Sequence, residues 1–315
     1  MSSCIAGILP PSLYNGLGSV VSTRYEAPAT LSASREFLTH IPIEKYQVIR
    51  PIQEGSVGRV YLAKDCTSDK KVALKKVRNA GGAILGMLQK EVRIQQAVQS
   101  HPNIAKAYDF THDAMTGEAT IALEYCGKGD LIDMVRPDAG MDTTLALKYA
   151  LQVAQAVAHM HDLGYAHRDI KSENVCVDEQ GNAKLIDFGF AMHVDDRITH
   201  RVAGTTPYVA PEFFNLSIAT DSLSLKAGDV WSFGIMLFSI LTGRFAWRKA
   251  THECREYSRF AFRNMSSRQE AEWARIPSDV RTLLVEIFAA DASKRPTMAQ
   301  VCDRIQQCMS TINTA

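Results

Sequence analysis

The sequence predicts an α+β chain of two lobes: a small sheet-rich lobe carrying one main helix, then a larger and mainly helical lobe. Three observations predict it. Between residues 46 and 125, short apolar pieces with strand-like alternation recur, interrupted once by three-and-four spacing. After "GKGD" the apolar spacing becomes helical almost to the end. The 315 residues, 46% hydrophobic and 22% charged, suit two lobes that each bury a core.

The elements follow in order. Residues 1–44 are rich in Ser, Ala, Thr and Pro, carry few charges and show no period, so they read as a partly disordered extension. "YQVIRPI", "GRVYLAKD" and "KKVALKKV" read as three strands. Between the first two, "IQEGSVGRVYLAK" holds Gly55 and Gly58, and Gln53 stands where G-x-G-x-x-G would have its first glycine. Taken alone, that turn could cradle a phosphate or merely bend a hairpin. "AILGMLQKEVRIQQAVQ" is the one helix, with Ile84, Leu88, Glu91, Gln95 and Val98 on a single face. "IAKAYDF" and "ATIALEYC" complete the strands of this lobe, which ends at residue 125.

In the second lobe, residues 126–308, "TLALKYALQVAQAVAHMHDLG" puts Leu145, Tyr149, Val153, Val157 and Met160 on one stripe, with Gly164 as the stop. Short β pieces are expected in "NVCVDEQGNAKLIDF". The apolar run "WSFGIMLFSILTG" from Trp231 is too short to span a bilayer and reads as a buried helix. "KRPTMAQVCDRIQQCM" opens the last helix, with Pro296 suited to its first position, and residues 309–315 form a tail.

A net charge of +1 argues against a dedicated nucleic-acid binder, which would carry a basic stripe. Seven scattered cysteines without a C-x-x-C pair read as reduced thiols, hence a cytoplasmic or nuclear setting with no membrane association. The N-terminus lacks the basic flank and long apolar core of a signal peptide.

The chemistry is concentrated in two stretches. "AHRDIKSENV" offers Asp169 and Asn174 from one short loop, and "LIDFGFA" adds Asp187. Two carboxylates and a carboxamide from neighbouring loops are oxygen ligands for a hard cation plus a spare base. Singly, H-R-D could be a buried ion pair and D-F-G a turn. Their order, with "VALK" upstream and "APE" downstream, leaves little room for chance.

With these motifs in this order, residues 45–308 resemble the eukaryotic protein kinase domain of the serine/threonine type, loosely the calmodulin-dependent group. The resemblance implies a bilobal protein kinase fold, ATP and Mg²⁺ as cofactors, protein substrates, a monomer, and room for a regulatory protein partner. It assigns Gln53, Gly55 and Gly58 to the phosphate-covering loop, altered at its first position. Lys75 would hold the α- and β-phosphates, oriented by Glu91; the bland reading of Lys75 is a solvated strand-end lysine. Ile52, Val60 and Ala73 would enclose the adenine, Leu123 would be the gatekeeper, and Glu124 and Cys126 would bond adenine through their backbones. Asp130 would bind the ribose, or else cap a helix starting at Leu131.

In the same resemblance Asp169 is the base for the acceptor hydroxyl, Lys171 steadies the transferred phosphate, and Asn174 and Asp187 hold Mg²⁺. Glu173 would favour basic residues before the acceptor, and Thr205 of "GTTPYVAPE" would dock the substrate beside the catalytic loop. Glu212 and Arg295 would form a buried ion pair, and Asp229 would anchor the catalytic loop. Gln95 and the small Ala107 stand where bulky apolar residues link the lobes, which suggests a loosely assembled active state. Arg201 stands where relatives carry a phosphorylated threonine facing Arg168. Asp195 and Asp196 could supply a fixed negative charge to Arg168, or be solvated loop acids. Two readings follow: an active kinase, or a nucleotide-binding pseudokinase scaffold that acts by docking. Retention of Lys75, Asp169, Asn174 and Asp187 together favours the first.

Overall fold

The computed structural model describes residues 45–54, 58–263 and 265–314. The expected N-terminal extension and Gly55 lie outside them. The smaller lobe is an antiparallel sheet of β1 (Tyr46–Glu54), β2 (Gly58–Asp65), β3 (Lys71–Val77), β4 (Ala107–Asp113) and β5 (Glu118–Glu124). Their order is β1-β2-β3-β5-β4, and α1 (Gly82–Val98) is inserted between β3 and β4.

The two-residue period of β3 decides what faces α1. Val77, Ile121 and Ala107 pack with Leu88 and Val92 of α1, while Val72 and Leu74 pack on the other side with Ala63 and Ala122. Lys75, two residues before Val77, therefore points at α1. On α1 the buried stripe is Leu88, Glu91, Val92, Ile94, Gln95 and Val98, and Ile84 is only partly buried. Glu91 lies three residues after Leu88 and four before Gln95, so helical geometry brings it under Lys75.

The larger lobe consists of α2 (Thr143–Asp162), α3 (Pro211–Phe214), α4 (Leu225–Thr242), α5 (Arg255–Ala261), α6 (Ser267–Ala274), α7 (Ser278–Ile287) and α8 (Met298–Thr314). Two ribbons, β6 (Tyr165–Ala166) with β9 (Met192–His193) and β7 (Val175–Val177) with β8 (Ala183–Leu185), carry the loops that face the cleft. This is the two-lobed α+β architecture that the sequence predicts.

Three details differ from the sequence reading. Tyr149, Val153, Val157 and Met160 are buried in α2, but Leu145 is 38% exposed and Ala146 and Leu147 take the inward positions of that first turn. The run from Trp231 belongs to an 18-residue helix, α4, long and apolar enough to cross a bilayer; 83% of it is buried, so it is the central core helix. In α8, Gln300 N donates to Thr297 Oγ1 at 3.3 Å while Thr297 N donates to Gln300 Oε1 at 2.8 Å. That reciprocal pair caps the helix at Thr297, so Pro296 precedes the cap. α8 also continues past residue 308, with Met309 and Ile312 packed on the core.

Candidate active site

A cavity of about 310 Å³ lies between the lobes, lined by Ile52, Gln53, Val60, Ala73, Lys75, Glu91, Leu123, Glu124, Cys126, Asp130 and Asp187. Strand register delivers several of them: Val60 and Ile121 flank Lys75, and Ala73 sits opposite Leu123. Cys176 and Ile186 add floor that sequence reasoning missed. Their signal was the short strand-like run after Asn174, in which Cys176 follows at a spacing of two. Gly58 pairs with Val77, and a Cβ there would meet the Lys76 carbonyl oxygen at 2.5 Å. Its neighbour strand thus already demands a glycine at this position.

Asp130 does not begin a helix. A single 3₁₀ turn runs from Ile132 to Met134, its cap residue is Leu131, and no side chain caps it. Asp130 instead bridges to Cys176, whose Sγ lies 3.5 Å from Asp130 Oδ1.

The back of the cleft holds a charged cluster. Lys75 Nζ donates to Glu91 Oε1 at 2.6 Å, and both side chains are buried. Burial opposes the ammonium charge, but Glu91 and Asp187 outweigh it and hold the Lys75 pKa above its ordinary value. Burial pushes Asp187 up to about 6, against the pull of Lys75 and with the help of Glu91 and Asp169. Asp187 Oδ2 is buried with no hydrogen-bond partner among the described residues. Its backbone φ is +60°, in the left-handed region that non-glycine residues avoid.

Gln95 also faces this cavity, and its Nε2 donates to the Ala105 carbonyl at 2.7 Å. The polar side chain is therefore satisfied where it is buried.

Asp169 is held on both oxygens. Thr205 N and Oγ1 lie 3.0 and 3.1 Å from Oδ1, and Lys171 Nζ and Asn174 Nδ2 lie 2.7 and 2.9 Å from Oδ2. Lys171 Nζ also donates to Thr205 Oγ1 at 2.8 Å. The close approach depends on Gly204, which has φ +80° and whose Cβ would lie 2.6 Å from the Arg168 carbonyl oxygen. Asn174 Nδ2 bonds the Asp169 carbonyl as well, at 2.8 Å. With its nitrogen so used, its Oδ1 is the atom left to meet a cation. An orphaned carboxylate oxygen, a carboxamide oxygen and a nearby phosphate-sized space fit a hard divalent ion such as Mg²⁺.

Asp229 of α4 anchors this loop from below, accepting from His167 N at 2.8 Å and Arg168 N at 2.7 Å. His161 Nε2 lies 3.0 Å from the same carboxylate. Those bonds hold Arg168 at φ +67°. His167 accepts from Asp169 N at Nδ1, so Nε2 carries the proton toward the Ile186 carbonyl, 3.1 Å away. Burial keeps this imidazole pKa low and hence neutral. Glu212 and Arg295 form a buried two-pronged pair at 2.7 and 2.8 Å. Glu173 accepts from the Tyr208 hydroxyl at 3.1 Å.

The expected acid partners of Arg168 are elsewhere. Asp195 lies 3.5 Å from His193, and Asp196 lies 3.6 Å from Lys90 of α1. Arg168 instead donates to the His200 carbonyl at 2.6 Å and lies 2.9 Å from Met192 Sδ. Arg201 donates both terminal nitrogens to the Ile218 carbonyl, one of them at 2.8 Å. The loop path brings carbonyls, not carboxylates, to both guanidinium groups.

Residues 46–305 match the protein kinase domain model. The chain is 29% identical over 293 residues to serine/threonine-protein kinase grp of Drosophila melanogaster, covering 90% of this chain and 54% of that protein. It is 33% identical over 217 residues to serine/threonine-protein kinase CHK1 of Saccharomyces cerevisiae, covering 67% of this chain and 40% of that one. An Aurora kinase of Schizosaccharomyces pombe is 29% identical over 270 residues, 85% of this chain and 71% of that protein. The chain thus spans about half the length of the first two relatives, 54% and 40%. With its two lobes, its cleft and its ordered motifs, the chain belongs to the protein kinase domain family.

Proposed function

We propose that this chain is an active Mg·ATP-dependent serine/threonine kinase whose substrates are proteins. The observation that carries the reading is that Lys75 and Asp187 line one cleft, with Asp169 close enough to act on the Asp187 charge, Asn174 bonded to Asp169, and Asp187 Oδ2 without a partner among the described residues. Lys75, oriented by Glu91, binds phosphate oxygens from the sheet side. Gln53 borders those phosphates, Val60, Ala73 and Leu123 bracket the base, and Asp130 meets the ribose. Asn174 and Asp187 hold Mg²⁺, which when bound neutralises charge on the phosphate oxygens. Asp169, fixed by four hydrogen bonds, takes the acceptor's proton, and Lys171 bridges it to Thr205 beside the incoming hydroxyl. The complete set speaks against a scaffold without transfer. The test is transfer of labelled γ-phosphate to a serine/threonine peptide array with and without Mg²⁺; no Mg²⁺-dependent labelling of any peptide overturns the reading.

The Asp187 pKa predicts a pH dependence. A cation needs the ionised carboxylate, so protons compete once pH falls below about 6. Mg²⁺-dependent affinity for a non-hydrolysable ATP analogue is expected to hold above that value and to fall by up to about tenfold per pH unit below it. The raised pKa has a second consequence for the metal-free chain. Its stabilising contribution is present below the ordinary carboxylate pKa and is lost as pH rises through about 6, where the buried charge must form. Calorimetric titration across this range checks the first statement. In Asp187→Asn the Mg²⁺-dependent component should be small at every pH.

Activity is also expected without phosphorylation of the activation segment, because Arg168 and Arg201 each already donate to a backbone carbonyl, that of His200 and that of Ile218, although the buried Arg201 Nε finds no partner among the described residues. Phosphatase-treated protein and Thr199→Ala should both retain turnover within about twofold of the untreated chain. A collapse in both would make Thr199, which is exposed, the switch.

A further inference from the structure

A second cavity of about 400 Å³ opens between the loop after α4, α5 and α6. Its walls carry five arginines, Arg244, Arg248, Arg255, Arg259 and Arg268, against two glutamates, Glu256 and Glu272. That leaves three positive charges on one wall, in a chain whose whole formal charge is +1.

The pairing within the wall is uneven. Arg244 bonds Asp138 at 2.7 Å and lies 3.6 Å from Glu272, which Arg268 also reaches at 3.2 Å. Glu256 accepts from the Cys254 thiol at 3.2 Å. Arg248, Arg255 and Arg259 make no close ion pair among the described residues, and Arg248 and Arg255 share the single charge of Glu256, whose pKa they help to lower. The frame beneath them is fixed: Ser266 and Gln269 form a capping box on α6, and Gln269 Nε2 ties α6 to the Glu256 carbonyl at 2.9 Å. All five cations are guanidinium groups, whose planar fork suits carboxylate and phosphate. The neighbouring Lys249 turns away, onto the Phe214 ring at 4.5 Å.

The cavity adjoins the acceptor site through two contacts. Phe245, on its rim and 43% exposed, packs edge-on against Tyr208 at 5.5 Å between ring centroids. Tyr208 lies in the docking segment Gly204–Glu212 and donates its hydroxyl to Glu173 of the Asp169 loop.

We infer that the arginine cavity beside Phe245 binds an anionic side chain of the protein substrate, a carboxylate or a phosphoserine, at a fixed distance from the phosphorylated residue. The inference rests on the kinase reading above. It also gives the substrate a polarity: Glu173 attracts basic residues on one side of the acceptor, and the arginines attract acids on another.

The test walks Asp, phosphoserine or Ala through the positions flanking a single acceptor Ser in a synthetic peptide. An anionic residue at one position is expected to raise kcat/KM by about tenfold over Ala, and added salt should weaken the preference. In the Arg248→Ala/Arg255→Ala/Arg259→Ala chain the ratio of anionic to Ala peptide should fall to near one. If that triple variant does not fold, the single variants should each lower the ratio, and Arg→Lys at the same positions should restore part of it. Equal use of Asp and phosphoserine would identify a carboxylate pocket, whereas a phosphoserine preference would identify a primed substrate. No preferred anionic position, or a preference that survives the arginine variants, overturns the inference. Fluorescence anisotropy of the labelled phosphoserine peptide needs no turnover and separates the two readings. Arginine-dependent binding without transfer sinks the kinase assignment and leaves the cavity standing; transfer without anionic preference does the reverse.

Discussion

Asp169→Asn is expected to lower kcat by about 10²–10⁴-fold, the usual contribution of a positioned base. The carboxamide has nearly the shape of the carboxylate but takes no proton at neutral pH. It must also present an NH₂ group to donors, because Thr205 occupies one side and Lys171 and Asn174 the other. One of those bonds is lost, so a stability loss of about 1–3 kcal/mol accompanies the kinetic one. Mg·ATP affinity should stay within about threefold, roughly 0.7 kcal/mol, because Lys75, Asn174 and Asp187 remain. Single-turnover transfer to a peptide and calorimetric nucleotide titration check the two halves separately. Unchanged turnover in a folded Asp169→Asn chain would remove Asp169 from the chemistry.

Arg295→Met should have the largest effect on stability. The Arg295 side chain is fully buried and grips both oxygens of Glu212, at 2.7 and 2.8 Å. It also donates to the Ala289 and Ala227 carbonyls, each at 3.0 Å, and stacks on Trp231 at 4.8 Å. Methionine fills much of the volume but leaves the Glu212 carboxylate buried without its partner. Breaking a buried pair in this way costs about 3–5 kcal/mol, which in a domain of this size lowers Tm by roughly 6–20 °C. The combined Arg295→Met/Glu212→Leu chain should recover part of that loss, since it removes the stranded charge along with its partner. Thermal unfolding of the three variants decides it. A drop below about 2 °C in Arg295→Met would show that water reaches Glu212 and that the pair matters little.

Much of the site was legible because its signals are local. Period 3.6 put Glu91 in line with Leu88 and Gln95, and the two lobes could be read from the strand and helix periods, whereas the partnership of Lys75 with Glu91 came from the family resemblance of the ordered motifs. The Asp169–Asn174 loop, Asp187 and the buried α4 were likewise readable from short stretches. Where local pattern misled, the cause was a neighbouring element. Leu145 fits the apolar stripe of α2, yet Ala146 and Leu147 take the inward positions of that turn. Gln95 looked like a defect until the Ala105 carbonyl appeared opposite its amide.

The sequence by itself determined which residue types are present and in what order: a lysine on a strand, a glutamate on the following helix, and two loops bearing Asp169, Asn174 and Asp187. Tertiary structure alone decided what those charges meet. Arg168 reaches the His200 carbonyl 32 residues away, Arg201 the Ile218 carbonyl 17 away, and Arg295 the Glu212 carboxylate 83 away. It also decided that arginines between 244 and 268 should wall a single cavity. Helical and strand periods act over a few residues, so they orient side chains toward or away from a core. The path of a loop, which sets the carbonyl or carboxylate facing a guanidinium, depends on packing between distant segments, and no local period encodes that.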